Sequence, residues 1–201
     1  MINLKNTDLD LVFIIDRSGS MHGSEEDTIG GFNSFIEKEM QNEYTTKVTT
    51  VLFDNKYEML YERKSIDEVE KLTKEQYYVR GSTALLDAIG MTITTLDKKI
   101  ENKVLCVIMT DGAENSSKEY NREQIKNLIN SHTWEFIYIG ADIDSYAEAR
   151  QYGFKDSNIA NYEKSDEGIR RAYTSITNAS ESLRHKKHID ADWKDSLKEY
   201  D

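Results

Sequence analysis

No proline occurs in the 201 residues, and glycine contributes only 10 of them. A chain so poor in both is not a Pro/Gly-rich linker or a low-complexity tether. Cysteine is nearly absent as well. Cys106 stands alone inside the apolar run "VLCVIM", so no internal disulfide can form and folding does not depend on an oxidising compartment. Long apolar runs are also missing: none approaches the ~18 residues of a membrane span. The start, "MINLKNTDLDLVFIID", lacks the continuous apolar stretch and small-residue cleavage site of a signal peptide. Together these absences predict a cytoplasmic protein. Positive charge is in the minority, with 26 Lys and Arg against 37 Asp and Glu for a net charge of −11. That balance argues against nucleic acid or an anionic membrane as partner. A hydrophobic content of 38% at this length is enough for one domain with a sizeable core.

What is present has a rhythm. "LVFII" (11–15), "VLCVIM" (104–109) and "FIYIG" (136–140) are short and apolar throughout, as expected of strands buried on both faces of a parallel sheet. "KVTTVLF" (47–53) leads through Asp54-Asn55, a plausible tight turn, into "YEMLY" (57–61), which predicts an antiparallel edge pair. Helical spacing appears in 24–43, with Ser24 as N-terminal cap, and in 83–98, 121–131 and 165–183. The Gly30-Gly31 pair costs helix stability and suggests close packing against a neighbouring backbone. The alternation predicts a doubly wound α/β sheet with helices on both faces. Residues 1–184 make the domain; 185–201, polar and weakly periodic, form either a docking helix anchored by Trp193 and Leu197 or a tail.

In such a sheet, ligands bind beyond the carboxyl ends of the parallel strands. After the first strand comes "DRSGS" (16–20), after a later one "TDG" (110–112), and before the second helix "RGST" (80–83). Asp16, Ser18 and Ser20 alternate, and an extended segment points alternate side chains the same way; Arg17 and Gly19 then face elsewhere. Asp, Ser and Gly are also ordinary turn residues, so a polar loop that merely ends a strand is the plain alternative. Two carboxylates (Asp16, Asp111) and three hydroxyls (Ser18, Ser20, Thr83) on three loops offer oxygen alone, which suits Mg²⁺, Mn²⁺ or Ca²⁺ rather than zinc.

Asp-x-Ser-x-Ser followed by Thr83 and Asp111 resembles the metal-ion-dependent adhesion site of von Willebrand factor A (vWA) domains. "DTIGGFNSFI", "VTTVLFDN", "YYVRGSTALLDAIG" and "WEFIYIGADIDS" extend the likeness toward small stand-alone bacterial and phage members, from about residue 9 to about 180. The resemblance implies a Rossmann-like three-layer sandwich with one antiparallel edge strand. It also implies direct metal ligation by Ser18 and Ser20, ligation by Thr83 in the ligand-competent state, and contact through water for Asp16 and Asp111. The last coordination position falls to a Glu or Asp of a partner protein. An adhesion or scaffold module, monomeric by itself, is the resulting expectation, and no catalysis is expected.

The competing reading is a Mg²⁺-dependent phosphatase with Asp16 as nucleophile, but the second acid such enzymes need two residues later is here Ser18. No Walker loop, G-x-G-x-x-G or Ser/His nucleophile elbow is present. His22 reads as solvated. So do His185 and His188, which would share a helical face without a carboxylate partner. Asp142 suits a turn or helix cap more than a place at the metal rim. Glu114 suits either the cation's outer shell or a cap on the following helix. Tyr77 and Tyr78 suit packing more than a floor for the site.

Overall fold

A computed structural model describes residues 8–141 and 144–200. All eight residues of β1 (Leu9–Asp16), six of them apolar, are buried without a break because the strand has helices on both sides. It is flanked by parallel β2 (Thr46–Phe53) and parallel β4 (Lys103–Thr110). Outside β2 lies antiparallel β3 (Tyr57–Ser65); beyond β4 come parallel β5 (Glu135–Gly140) and the three-residue β6 (Ile159–Asn161). The order is β3-β2-β1-β4-β5-β6. This is the mostly parallel, helix-covered sheet expected from the alternation, with its one antiparallel pair at the edge. The short β6 was not foreseen, since three residues carry no readable period.

Side-chain alternation sorts the apolar runs into two cores. Leu9, Leu11, Phe13 and Ile15 meet α1 (Glu25–Glu39) and α5 (Asp166–His185) on one face. Val12, Ile14, Cys106 and Ile108 meet α2 (Leu85–Leu96), α3 (Arg122–Ser131) and α4 (Ser145–Gln151) on the other. Of the glycine pair in α1, only Gly31 is required for packing. A Cβ there would lie 2.4 Å from the Tyr173 ring of α5, whereas Gly30 meets nothing within 4 Å. Ser24 holds the N-cap position of α1 without a side-chain capping bond; Glu25, in the first turn, reaches back to accept the Gly23 N–H ahead of the helix at 2.6 Å.

Two further readings are corrected. Residues His185 and His188 share no helical face, because α5 ends at His185. His188 does have a carboxylate partner, Glu135, at 2.8 Å. After α5, Ala191–Tyr200 forms a 3₁₀ helix. Trp193 is buried there with its indole N–H donating to the Ser157 carbonyl at 2.8 Å, and Leu197 packs on the α1/α5 core. Beside it the Lys194 ammonium donates to the carbonyls of Asp156 and Ile159, the latter also taken by the Tyr146 hydroxyl. Among the described residues no helix is long and apolar enough to cross a membrane.

Candidate metal centre

α1 packs on one face of the sheet and α2 on the other. α3, which follows β4, packs on the same face as α2, so the chain leaves β1 and β4 toward opposite sides and a crevice opens at the carboxyl ends of these two strands. Asp16, the last residue of β1, closes its floor and is fully buried. Its Oδ1 accepts the Ser18 N–H at 2.7 Å and its Oδ2 accepts the Thr110 hydroxyl of β4 at 2.6 Å. Above it the Thr83 hydroxyl donates to Ser18 Oγ at 3.0 Å, and Ser18 Oγ lies 3.0 Å from Ser20 Oγ. Ser18 is extended, but Ser20 sits in a 3₁₀ turn, Gly19–Met21. The alternation argument thus explains Ser18 and stops there; the turn brings Ser20 back over the strand end. Asn115 clamps Thr83, accepting its N–H at 2.9 Å and donating to its carbonyl at 3.0 Å.

The third loop contributes Asp111 and Gly112. A Cβ on Gly112 would come within 2.9 Å of both Ser20 Oγ and Thr83 Oγ1 and 3.6 Å of Asp16 Oδ2. That space is kept open only by the missing side chain. The Asp111 side chain is 3% exposed; its Oδ2 pairs with the Lys164 ammonium at 2.7 Å, and its Oδ1 is buried with no hydrogen-bond partner. Burial, opposed by the bonds from Thr110 and Ser18 and reinforced by the Asp111 charge, pushes the Asp16 carboxyl up to about 6. The crevice thus holds two carboxylates poor in positive charge beneath three clustered hydroxyls.

The sequence pattern of the von Willebrand factor type A domain matches residues 10–179. The chain belongs to this family. Among solved structures, a vWA protein from Catenulispora acidiphila superposes with a TM-score of 0.65 at 16% identity, covering 88% of this chain and 43% of that one. The ArnB paralog VWA2 from Sulfolobus acidocaldarius gives a TM-score of 0.61 at 22% identity, over 87% of this chain and 46% of that one. The pilus adhesin SpaC from Lactobacillus rhamnosus GG, in its open conformation, gives 0.68 at 13% identity, over 87% and 30%. This chain therefore spans less than half the length of each of these three. No curated protein matches it.

Does the donor set of this vWA domain suit a cation? Among the described residues no three His, Cys, Asp or Glu side chains gather so as to hold a metal, so hydroxyls would have to supply the inner ligands. Oxygens about 2.1 Å from a Mg²⁺ ion on adjacent corners of an octahedron lie about 3.0 Å apart; around Ca²⁺ they spread to about 3.3–3.7 Å. The Ser20, Ser18 and Thr83 oxygens stand 3.0 Å apart in a hydrogen-bonded chain, close enough together to share one ion. The orphaned Asp111 Oδ1 and the space beside Gly112 fit the same occupant. On chemistry and spacing, the residues fit.

Several neighbours escaped or outran the sequence reading. Arg17 does face away from the hydroxyls, but it is fully buried, bonding Asp54 at 3.0 Å, the Gln76 carbonyl at 3.0 Å and Glu58 at 2.6 Å. Asp54, read as a turn residue, is equally buried and also pairs with Arg80 at 2.8 Å. The Tyr77 hydroxyl donates to the Asp16 carbonyl at 2.6 Å, so this core residue does floor the site. Tyr78 is exposed and lies near the guanidinium groups of Arg17 and Arg80. Glu114 caps the preceding helix rather than the following one: it accepts the Leu86 N–H at the start of α2 and the N–H groups of Ser116 and Ser117. His22 is exposed and bonds Glu25. Asp142 lies outside the described residues. Lys164 was not anticipated, and Thr110, though part of the "TDG" that marked its loop, was given no role.

Proposed function

We propose that this vWA domain is a metal-dependent protein-binding module. Ser18, Ser20 and Thr83 would hold a divalent cation, Mg²⁺, Mn²⁺ or Ca²⁺, with Asp16 and Asp111 balancing its charge from behind. Bound there, the cation would act as a Lewis acid that retains positive charge for the carboxylate of a partner's Glu or Asp. The chain of hydroxyls 3.0 Å apart over a buried carboxylate carries this reading. Neutral inner ligands leave the ion's charge less quenched than carboxylates would. The protein's own residues do the positioning: Tyr77 and Thr110 fix Asp16, Asn115 fixes Thr83, and Gly112 keeps the face open. Hydrolysis through Asp16 gains no support from the geometry, since both carboxylate oxygens already accept hydrogen bonds and the residue is fully buried.

Titration calorimetry with Mg²⁺ and Mn²⁺ tests the site. Asp16→Ala and Asp111→Ala should abolish binding, and Ser18→Ala or Ser20→Ala should weaken it. Unchanged binding in both aspartate variants would move the site elsewhere. A pull-down of acidic protein partners should succeed in Mg²⁺ and fail in EDTA; capture that ignores EDTA would assign the partner to another surface.

A further inference from the structure

Lys164 lies in the connection between β6 and α5, far in sequence from every residue of the crevice. Its ammonium nevertheless reaches two of the site's loops. It pairs with Asp111 Oδ2 at 2.7 Å and donates to the Ser20 carbonyl, tying together the loops that follow β1 and β4. Two of its three donors are thereby used. The side chain is 37% exposed, and its flexible four-carbon stem can withdraw into solvent without moving backbone.

We infer that Lys164 is a tethered competitor of the divalent cation: it supplies the charge that balances Asp111 in the metal-free protein and is displaced from Asp111 when the ion enters. This rests on the metal reading above. Like charges sharing one carboxylate repel strongly where water is scarce, and an oxygen paired with an ammonium is not free to serve the ion. Lys164 therefore lowers the resting affinity for metal. It also keeps the buried Asp111 from standing unpaired when metal is scarce, a situation that is costly for any buried charge.

The test uses the full chain, Mn²⁺ as probe, and two readouts: the dissociation constant from calorimetry and the melting temperature in EDTA. Lys164→Met should bind Mn²⁺ about three- to tenfold more tightly, the range expected for removing a half-exposed ion pair and a like charge. Its melting temperature in EDTA should fall, and saturating Mn²⁺ should raise it by more than in the wild type. Lys164→Arg, which keeps the charge, should stay close to wild type. Lys187→Met removes an equally positive but remote, exposed charge; it should not reproduce the gain. Equal or weaker Mn²⁺ binding in Lys164→Met, or the same gain in Lys187→Met, overturns the inference while leaving the metal site standing. No Mn²⁺ binding in either wild type or Lys164→Met overturns both.

Discussion

The two ends of the sheet both bury carboxylates, but they partner them differently. At the amino ends of the strands, Asp10 meets the Arg63 guanidinium at 2.7 and 3.2 Å and Asn102 at 2.9 Å. Nearby, Glu39 pairs with the buried Arg184 at 2.6 Å and accepts the Ser180 hydroxyl at 3.0 Å. Each of those acids has a protein cation built against it. At the carboxyl ends Asp54 is likewise paired, with Arg17 and Arg80, but in the crevice Asp16 has, among the described residues, only hydroxyl and N–H donors, and Asp111 has one withdrawable ammonium and one orphaned oxygen. The amino end is closed with fixed charge, as Asp54 is at the carboxyl end; it is the crevice around Asp16 and Asp111 that is left short of positive charge. The comparison separates carboxylates that hold the fold from carboxylates available to a ligand, although all are buried.

The largest effect expected from breaking the closed end is on stability. Glu39→Ala strands the Arg184 guanidinium and should cost about 3–5 kcal/mol in chemical denaturation, while Mg²⁺ affinity of the folded fraction stays unchanged. A loss of metal binding there would erase the distinction between the two ends.

The open end should behave in the opposite sense. Because burial holds the Asp16 carboxyl at about 6 in the folded protein, against about 3.9 unfolded, the folded state binds more protons between these values. Ionising it therefore costs stability as pH rises from about 4 through 6. In EDTA, Asp16→Asn should escape that loss and at pH 7.5 exceed the wild type by on the order of 2–3 kcal/mol, with Asn able to accept from Ser18 and donate to Thr110. A wild type whose stability in EDTA is flat across this range, relative to Asp16→Asn, would show that Asp16 is not short of counter-charge.

Gly112→Ala sharpens the same contrast. It places a methyl against Ser20 and Thr83, so Mn²⁺ affinity should fall at least about tenfold while stability drops only by about 1–3 kcal/mol of overpacking. Calorimetry beside a urea melt separates the two. Smallest of all is Tyr77→Phe, which deletes one hydrogen bond to the Asp16 carbonyl. It should cost about 1 kcal/mol and leave metal binding within about twofold, as measured by the same pair of methods.

Much of this was legible in the sequence because it is local. β1, β4 and β5 each contain an unbroken apolar run, and Asp16, Ser18 and Ser20 sit within five residues of one strand end. The structure brings them to Thr83 and to the Asp111-Gly112 loop, where the doubly wound topology puts them. What could not be read depends on pairs distant in sequence. Arg17 finds Asp54, 37 residues on, and Lys164 finds the Ser20 carbonyl, 144 residues back. Neither partner announces itself: Asp54 has the composition of a hairpin turn, and Lys164 that of any solvated loop. An arginine amid the small residues of "DRSGS" was the one available signal that a buried ion pair underlies the site.

The short β6 has a consequence at the outer margin of the sheet. Strands that end a sheet expose unpaired backbone groups that invite another chain to add on. β3 meets this risk with Glu58, Glu62, Arg63 and Lys64 along its length and irregular pairing against β2. β6 is only three residues long, and the Ile159 carbonyl is already occupied by Tyr146 and Lys194. The 3₁₀ helix Ala191–Tyr200, pinned by Trp193, thus covers the β6 edge against pairing with another strand.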